Sequence, residues 1–152
     1  MSNIAYQAGV AELLSDGKTW DGATWKALLV RSTSTYTPDK DHDLLGADII
    51  DNGLVEISVA SYGRITISSP TISKDDGNDR VVIDCGDVSF GNLESGQTVK
   101  AIIIYRHVTN DADSIPLLYI DTDPGGLLPR ALGGGSFTVV ISANGLITIA
   151  QA

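Results

Sequence analysis

The sequence predicts a mainly β, single-domain fold: an antiparallel sandwich or barrel-like arrangement with one or two short helices. Three observations predict it. Short β-branched and aromatic runs recur, such as Ala101-Ile102-Ile103-Ile104-Tyr105 and Pro116-Leu117-Leu118-Tyr119-Ile120. Sixteen glycines, together with many serines and threonines, punctuate those runs as turn signals. Near the end, Phe137, Val139 and Ile141 alternate with Ser136, Thr138 and Ser142, the period-2 pattern of a half-buried strand. At 152 residues and 43% hydrophobic content, the chain is long enough to bury one self-sufficient core.

In chain order, Ile4, Ala8, Ala11 and Leu14 fall at helical spacing, and Ser15-Asp16-Gly17 would end that helix. Gly9 counts against it, and an ordered arm is the alternative. Residues 1–14 are therefore an N-terminal helix or arm, and residues 15–152 the β-domain. After the Trp20-Asp21-Gly22 turn, Trp25, Ala27 and Leu29 point one way and Lys26, Leu28 and Val30 the other. Apolar residues on both sides predict a central strand covered on each face.

Pro38 to Ile50 reads as a surface turn leading into a short helix through Asp43-Leu44-Leu45. Asp51-Asn52-Gly53 then turns into a strand over Leu54 to Ala60, and Tyr62 to Ile67 alternates as a half-buried strand. Residues 73–79 form a hydrated loop, with short strands at Arg80 to Asp84 and Val88 to Phe90. Between Phe90 and Asp121 lie two extended strands joined by the polar loop Thr109 to Ser114. Gly133-Gly134-Gly135 is a flexible joint, and Asn144-Gly145 predicts a type I′ turn closing a C-terminal hairpin.

Ten Lys and Arg against nineteen Asp and Glu give a net charge of −9. Phosphate backbones and anionic membranes repel such a surface, so neither nucleic acid nor membrane is an expected partner. Strong negative charge does keep a protein soluble in many copies. Cys85 is the only cysteine, which excludes an internal disulfide and a multi-cysteine zinc site; a buried, inert thiol is the reading. The N-terminus lacks a signal-peptide pattern, and no run approaches the roughly 18 apolar residues of a membrane span. The expectation is synthesis in the cytoplasm, with export only as part of something larger.

Asp39, Asp41 and Asp43 alternate like the start of a calcium loop, but Leu44 and Ile50 stand where an EF-hand needs Gly and Glu. A solvated turn and helix cap is preferred to a cation site. Asp75, Asp76 and Asp79 carry the same choice, a bare hairpin tip against an ion that relieves crowded carboxylates. His42 and His107 lack a nucleophile motif, and Gly133-Gly134-Gly135-Ser136 lacks the Lys-Ser/Thr of a phosphate loop. No cofactor and no catalytic residue is assigned. Among the aromatics, Trp25, Tyr105 and Tyr119 belong to apolar strand patterns, whereas Trp20 and Tyr36 are the candidates for exposure.

The strand words also form an ordered phrase. Trp25-Lys26-Ala27-Leu28-Leu29-Val30 leads to Tyr36-Thr37-Pro38-Asp39, Asp41-His42-Asp43-Leu44-Leu45, Tyr62-Gly63-Arg64 and Asp87-Val88-Ser89-Phe90. Ala101 to Tyr105, Pro116 to Asp121 and Asn144-Gly145-Leu146-Ile147 complete it. From about Trp20 to Ile149, the chain resembles the small virion structural proteins of tailed bacteriophages that decorate or cement capsids. The resemblance implies a non-enzymatic protein on the outside of an expanded capsid, bound to the major capsid protein. It also implies a homo-trimer or other homo-oligomer that stiffens the shell against packaged DNA. It carries over no binding residues.

Beside it, the amphipathic start (Ile4, Tyr6) and the apolar loop pair Leu127 and Leu128 are expected to contact the capsid or a neighbouring copy, with burial in their own core as the alternative for Leu127 and Leu128. Residues 1–14 are expected to be dispensable for folding. Two other classes stand against the capsid reading. One is a tail or tail-associated module that engages glycans through loop aromatics. The other is a hydrolase whose acid and base come from the Asp-rich loops.

Overall fold

The computed structural model describes residues 3–15 and 19–150. Its strands are all antiparallel, in three sheets. The principal sheet holds β1 (Ile4–Ala5), β2 (Trp25–Arg31), β3 (Ile65–Thr66), β7 (Thr98–Arg106), β8 (Ile115–Ile120) and β9 (Arg130–Ala131). Its order is β1-β8-β7-β2-β3, with β9 added to β7. Three strands, β4 (Thr71–Asp75), β5 (Arg80–Asp84) and β11 (Ile147–Ala150), form a second sheet with β5 in the middle. A third pairs β6 (Val88–Asn92) with β10 (Ser136–Val139). The sheets do not close into a barrel.

β2 and β7 explain the double-sided core. Their register sets Ala27 against Ile104 and Leu29 against Ile102 on one face, and Leu28 against Ile103 and Val30 against Ala101 on the other. The first face packs under the two smaller sheets, through Ile83, Val88, Phe90, Phe137 and Val139. The second face is covered by Tyr6, Tyr36, Leu45 and Ile49. Full burial of each Leu or Ile contributes roughly 1.5–3 kcal/mol relative to exposure, so this strand pair anchors the fold.

The segment expected as an N-terminal helix is a strand–helix unit, β1 followed by α1 (Gln7–Leu13). Gly9 has a structural reason. A Cβ there would lie 2.2 Å from the Pro116 carbonyl oxygen, so glycine lets α1 sit directly on β8. Arg106 of β7 pairs with Glu12 of α1 in a largely buried contact. α2 (Leu45–Ile50) is a π-helical turn, closed by Asp51 N–H donating to Gly46 O at 3.0 Å. It begins where the sequence expects the short helix.

Four expectations need correction. Leu54 to Ala60 is not a strand. It touches β2 through one bridge, Val30 with Glu56, after which the N–H groups of Ser58 and Ala60 donate to the side chains of Gln97 and Glu94. The strand over Tyr62 to Ile67 shrinks to β3, because Tyr62 turns its hydroxyl inward to accept the N–H of Leu29 at 3.0 Å. Residues 73–75 of the supposed loop complete β4. The C-terminal hairpin does not form. Gly145 takes φ +90° in a turn, but β10 pairs with β6 and β11 with β5, so the turn passes the chain between sheets.

Candidate functional site

The Asp39–Asp43 loop is built from its own carboxylates. Asp39 Oδ1 accepts the N–H of Asp41 at 3.1 Å, and Asp41 Oδ1 receives Lys40 Nζ at 2.8 Å and Gln7 Nε2 at 2.9 Å. Asp48 of α2 accepts the N–H groups of Asp43 and Leu44 at 2.9 and 2.8 Å, which holds its carboxyl below the usual range. The solvated turn is there, but α2 has Leu44 at its N-cap with no side-chain cap bond, and Asp48 reaches back from within the helix to hold the turn before it.

The second Asp-rich loop is the tip of the β4–β5 hairpin. Asp75 accepts from Asn78 at 2.9 Å and from Arg80 at 2.8 Å, and both partners lower its pKa. Asp76 pairs with Lys74 at 2.6 Å, both well exposed. Asp79 takes φ +49°, a left-handed conformation that aspartate tolerates. Asp75, Asp76 and Asp79 edge an open cavity of about 340 Å³, which Val81 and Ile149 also line. Asp39 and Asp41 do not line it. The two loops therefore do not pool their carboxylates there. Among the described residues, no three His, Cys, Asp or Glu side chains gather as a metal site would need.

Of the expected contact residues, Tyr6 and Leu128 lie in the core, at 0% and 8% exposure, while Ile4 and Leu127 are half-buried. Tyr6 is drawn in because it joins β1 to α1 across the sheet, with its N–H donating to Leu117 O at 2.9 Å. Leu128 is turned in by Asp123, whose Oδ1 accepts the N–H groups of Leu127 and Leu128 at 2.7 and 3.1 Å. Neither Tyr6 nor Leu128 presents a side chain to another molecule. Trp20 and Tyr36 are also buried rather than exposed, which removes the aromatic platform expected for glycans. Trp25, Tyr105 and Tyr119 are buried as expected. So is Cys85, whose thiol burial pushes up to about 12.

Two polar clusters escaped the sequence reading. Arg64 donates to Glu56 through Nε and Nη2 and to Asp111 through Nη1 and Nη2, while the Tyr62 hydroxyl donates to Glu56. The two carboxylates raise the guanidinium pKa against the opposing effect of burial. The other cluster links Tyr6, Tyr36 and His42 by their side chains. Each cluster depends on one distant contact, Arg64 with Asp111 47 residues away and Tyr6 with Tyr36 30 residues away, and no local spacing announces those contacts.

Large apolar side chains remain outside the core in one ordered row. Val81 sits in register with both Lys74 and Ile149, and Ile83 with both Ile72 and Ile147. All six side chains therefore share one face of the β4–β5–β11 sheet. Ile83 is buried at its inner end, while Ile72, Val81 and Ile149 are 44%, 37% and 52% exposed. No helix among the described residues is long and apolar enough to cross a membrane. No protein family, curated protein or solved structure compared with this chain matches it.

Proposed function

We propose that this chain is a non-enzymatic virion structural protein that decorates the outer surface of a tailed-phage capsid. It would bind the major capsid protein as a homo-oligomer and stabilise the shell. The ordered phrase of strand segments from Trp20 to Ile149, which resembles that class of protein, carries the reading. The fold is compatible with it: the polar clusters at Arg64 and Asp48 bind parts of the chain to one another. The exposed row Ile72, Val81 and Ile149 is the surface feature suited to resting against another protein.

Cryo-electron microscopy of the parent particle tests the reading. Density fitting this chain in a lattice over the capsid surface is the expected result. Density confined to the tail would overturn the capsid assignment in favour of a tail structural component.

A further inference from the structure

Tyr6, Tyr36 and His42 form a hydrogen-bonded chain from the core to the surface. The two tyrosine hydroxyls lie 2.9 Å apart, and that of Tyr36 lies 2.8 Å from His42 Nδ1. Tyr6 is 0% and Tyr36 3% exposed, whereas His42 is half-buried in its loop. The protons in this chain can be counted. With a neutral imidazole, Tyr6 donates to Tyr36 and Tyr36 donates to the Nδ1 lone pair, leaving the ring proton on Nε2. Two protons fill two contacts. A doubly protonated imidazole adds an N–H at Nδ1, so three protons face the same two contacts. One hydroxyl hydrogen then loses its acceptor where water does not reach, and that is unfavourable.

We propose that this chain is a proton-sensitive latch: protonation of His42 loosens the N-terminal segment, β1 and α1, from the principal sheet. Tyr6 transmits the effect because it joins those two elements and is held to β8 through Leu117 O. The loop that carries His42 grips the same segment. Gln7 N–H donates to Lys40 O at 2.9 Å, and Gln7 Nε2 to Asp41 Oδ1 at 2.9 Å.

The charged groups around the imidazole come from two elements. Asp39, Lys40, Asp41 and Asp43 lie on its own loop, and Asp48 faces it from α2. The rings of Tyr36 and, behind it, Tyr119 complete the surroundings. Two backbone N–H groups hold the Asp48 carboxyl below the usual range, which keeps it ionised. The buried hydroxyls bear the cost of a second imidazole proton.

Amide hydrogen exchange over residues 6–13, expressed as protection relative to β7, tests the latch at about pH 7.5 and about pH 5.5. In the native protein this relative protection is expected to fall about tenfold on acidification. His42→Gln, which accepts at every pH and does not titrate, is expected to abolish the fall. Tyr36→Phe, which breaks the chain, is expected to give low protection at both pH values. A flat native profile, or an undiminished fall in His42→Gln, overturns the proposal.

Discussion

The indole N–H of Trp20 donates to the carbonyl oxygen of Asp84 at 2.6 Å, fastening the turn before β2 to the end of β5. The Trp20 ring packs against Trp25 with centroids 5.1 Å apart and planes tilted by 45°. One side chain thus joins the three-stranded sheet to the principal one, and it is fully buried. Trp20→Phe keeps an aromatic ring but strands a carbonyl, so it should cost roughly 2 kcal/mol. Trp20→Ala should cost about 3–5 kcal/mol, because a cavity is added. Urea unfolding of both variants checks this, and equal losses would mean that the hydrogen bond contributes little.

The N-terminal segment, expected from sequence to be a dispensable arm, is part of the core. Ile4 and Ala5 pair with Tyr119 and Leu118, and Tyr6 and Leu13 are buried. Deleting residues 1–13 removes these side chains together and bares the outer edge of β8. The loss should reach at least the roughly 3–5 kcal/mol of a single large-to-alanine core change. Circular dichroism with thermal melting should show a lower transition or no cooperative one. A truncated protein melting with the native one would contradict the packing.

Arg64 neutralises two carboxylates from different parts of the chain, Glu56 and Asp111. Arg64→Met would leave those charges facing each other, with Tyr62 still donating to Glu56. The cost should be roughly 2 kcal/mol, below the 3–5 typical of fully buried pairs, because the Asp111 side chain is 39% exposed and partly screened. The double variant Arg64→Met/Glu56→Gln should recover part of that loss, and a double-mutant cycle measures the coupling. Strict additivity would show that the cluster is not a unit.

What the sequence made legible was whatever its local period encodes. β2 and β7 carry apolar residues on both parities, and both are central strands with two covered faces. The β7–β8 pair and its polar loop were equally plain. The failures arose where a distant partner decided the outcome. Asn144-Gly145 carries the local chemistry of a hairpin turn, yet β10 and β11 found better partners in β6 and β5, more than 40 residues earlier. Leu54 to Ala60 has strand composition, but Gln97 and Glu94 took the N–H groups of Ser58 and Ala60. Tyr6 looked like a contact residue because it sits in an amphipathic start, and Leu128 because it belongs to an apolar pair in a Gly- and Pro-rich loop. Their burial depends on Gly9 admitting the β8 backbone and on Asp123 folding its loop, neither of which a sequence period records.

Alkaline solution should unfold this protein in a way that burial dictates. All five tyrosines have raised pKa values, with burial the largest cause in each; Tyr119, beside Asp121, is pushed up to about 12. The Cys85 thiol is likewise pushed up to about 12. In an unfolded chain these groups titrate near pH 10 and about pH 8.5 respectively. The native state therefore keeps protons that the unfolded state releases, and stability falls as pH rises through that interval. Below about pH 8.5 both states hold the protons, so these groups make stability neither rise nor fall. The urea midpoint should accordingly drop steeply from about pH 9 upward. Tyrosinate absorbance should then appear in one cooperative step together with loss of the circular dichroism signal. Gradual ionisation of most tyrosines in a still-folded protein would show that their hydroxyls are more accessible than the packing of Tyr6, Tyr36 and Tyr105 implies.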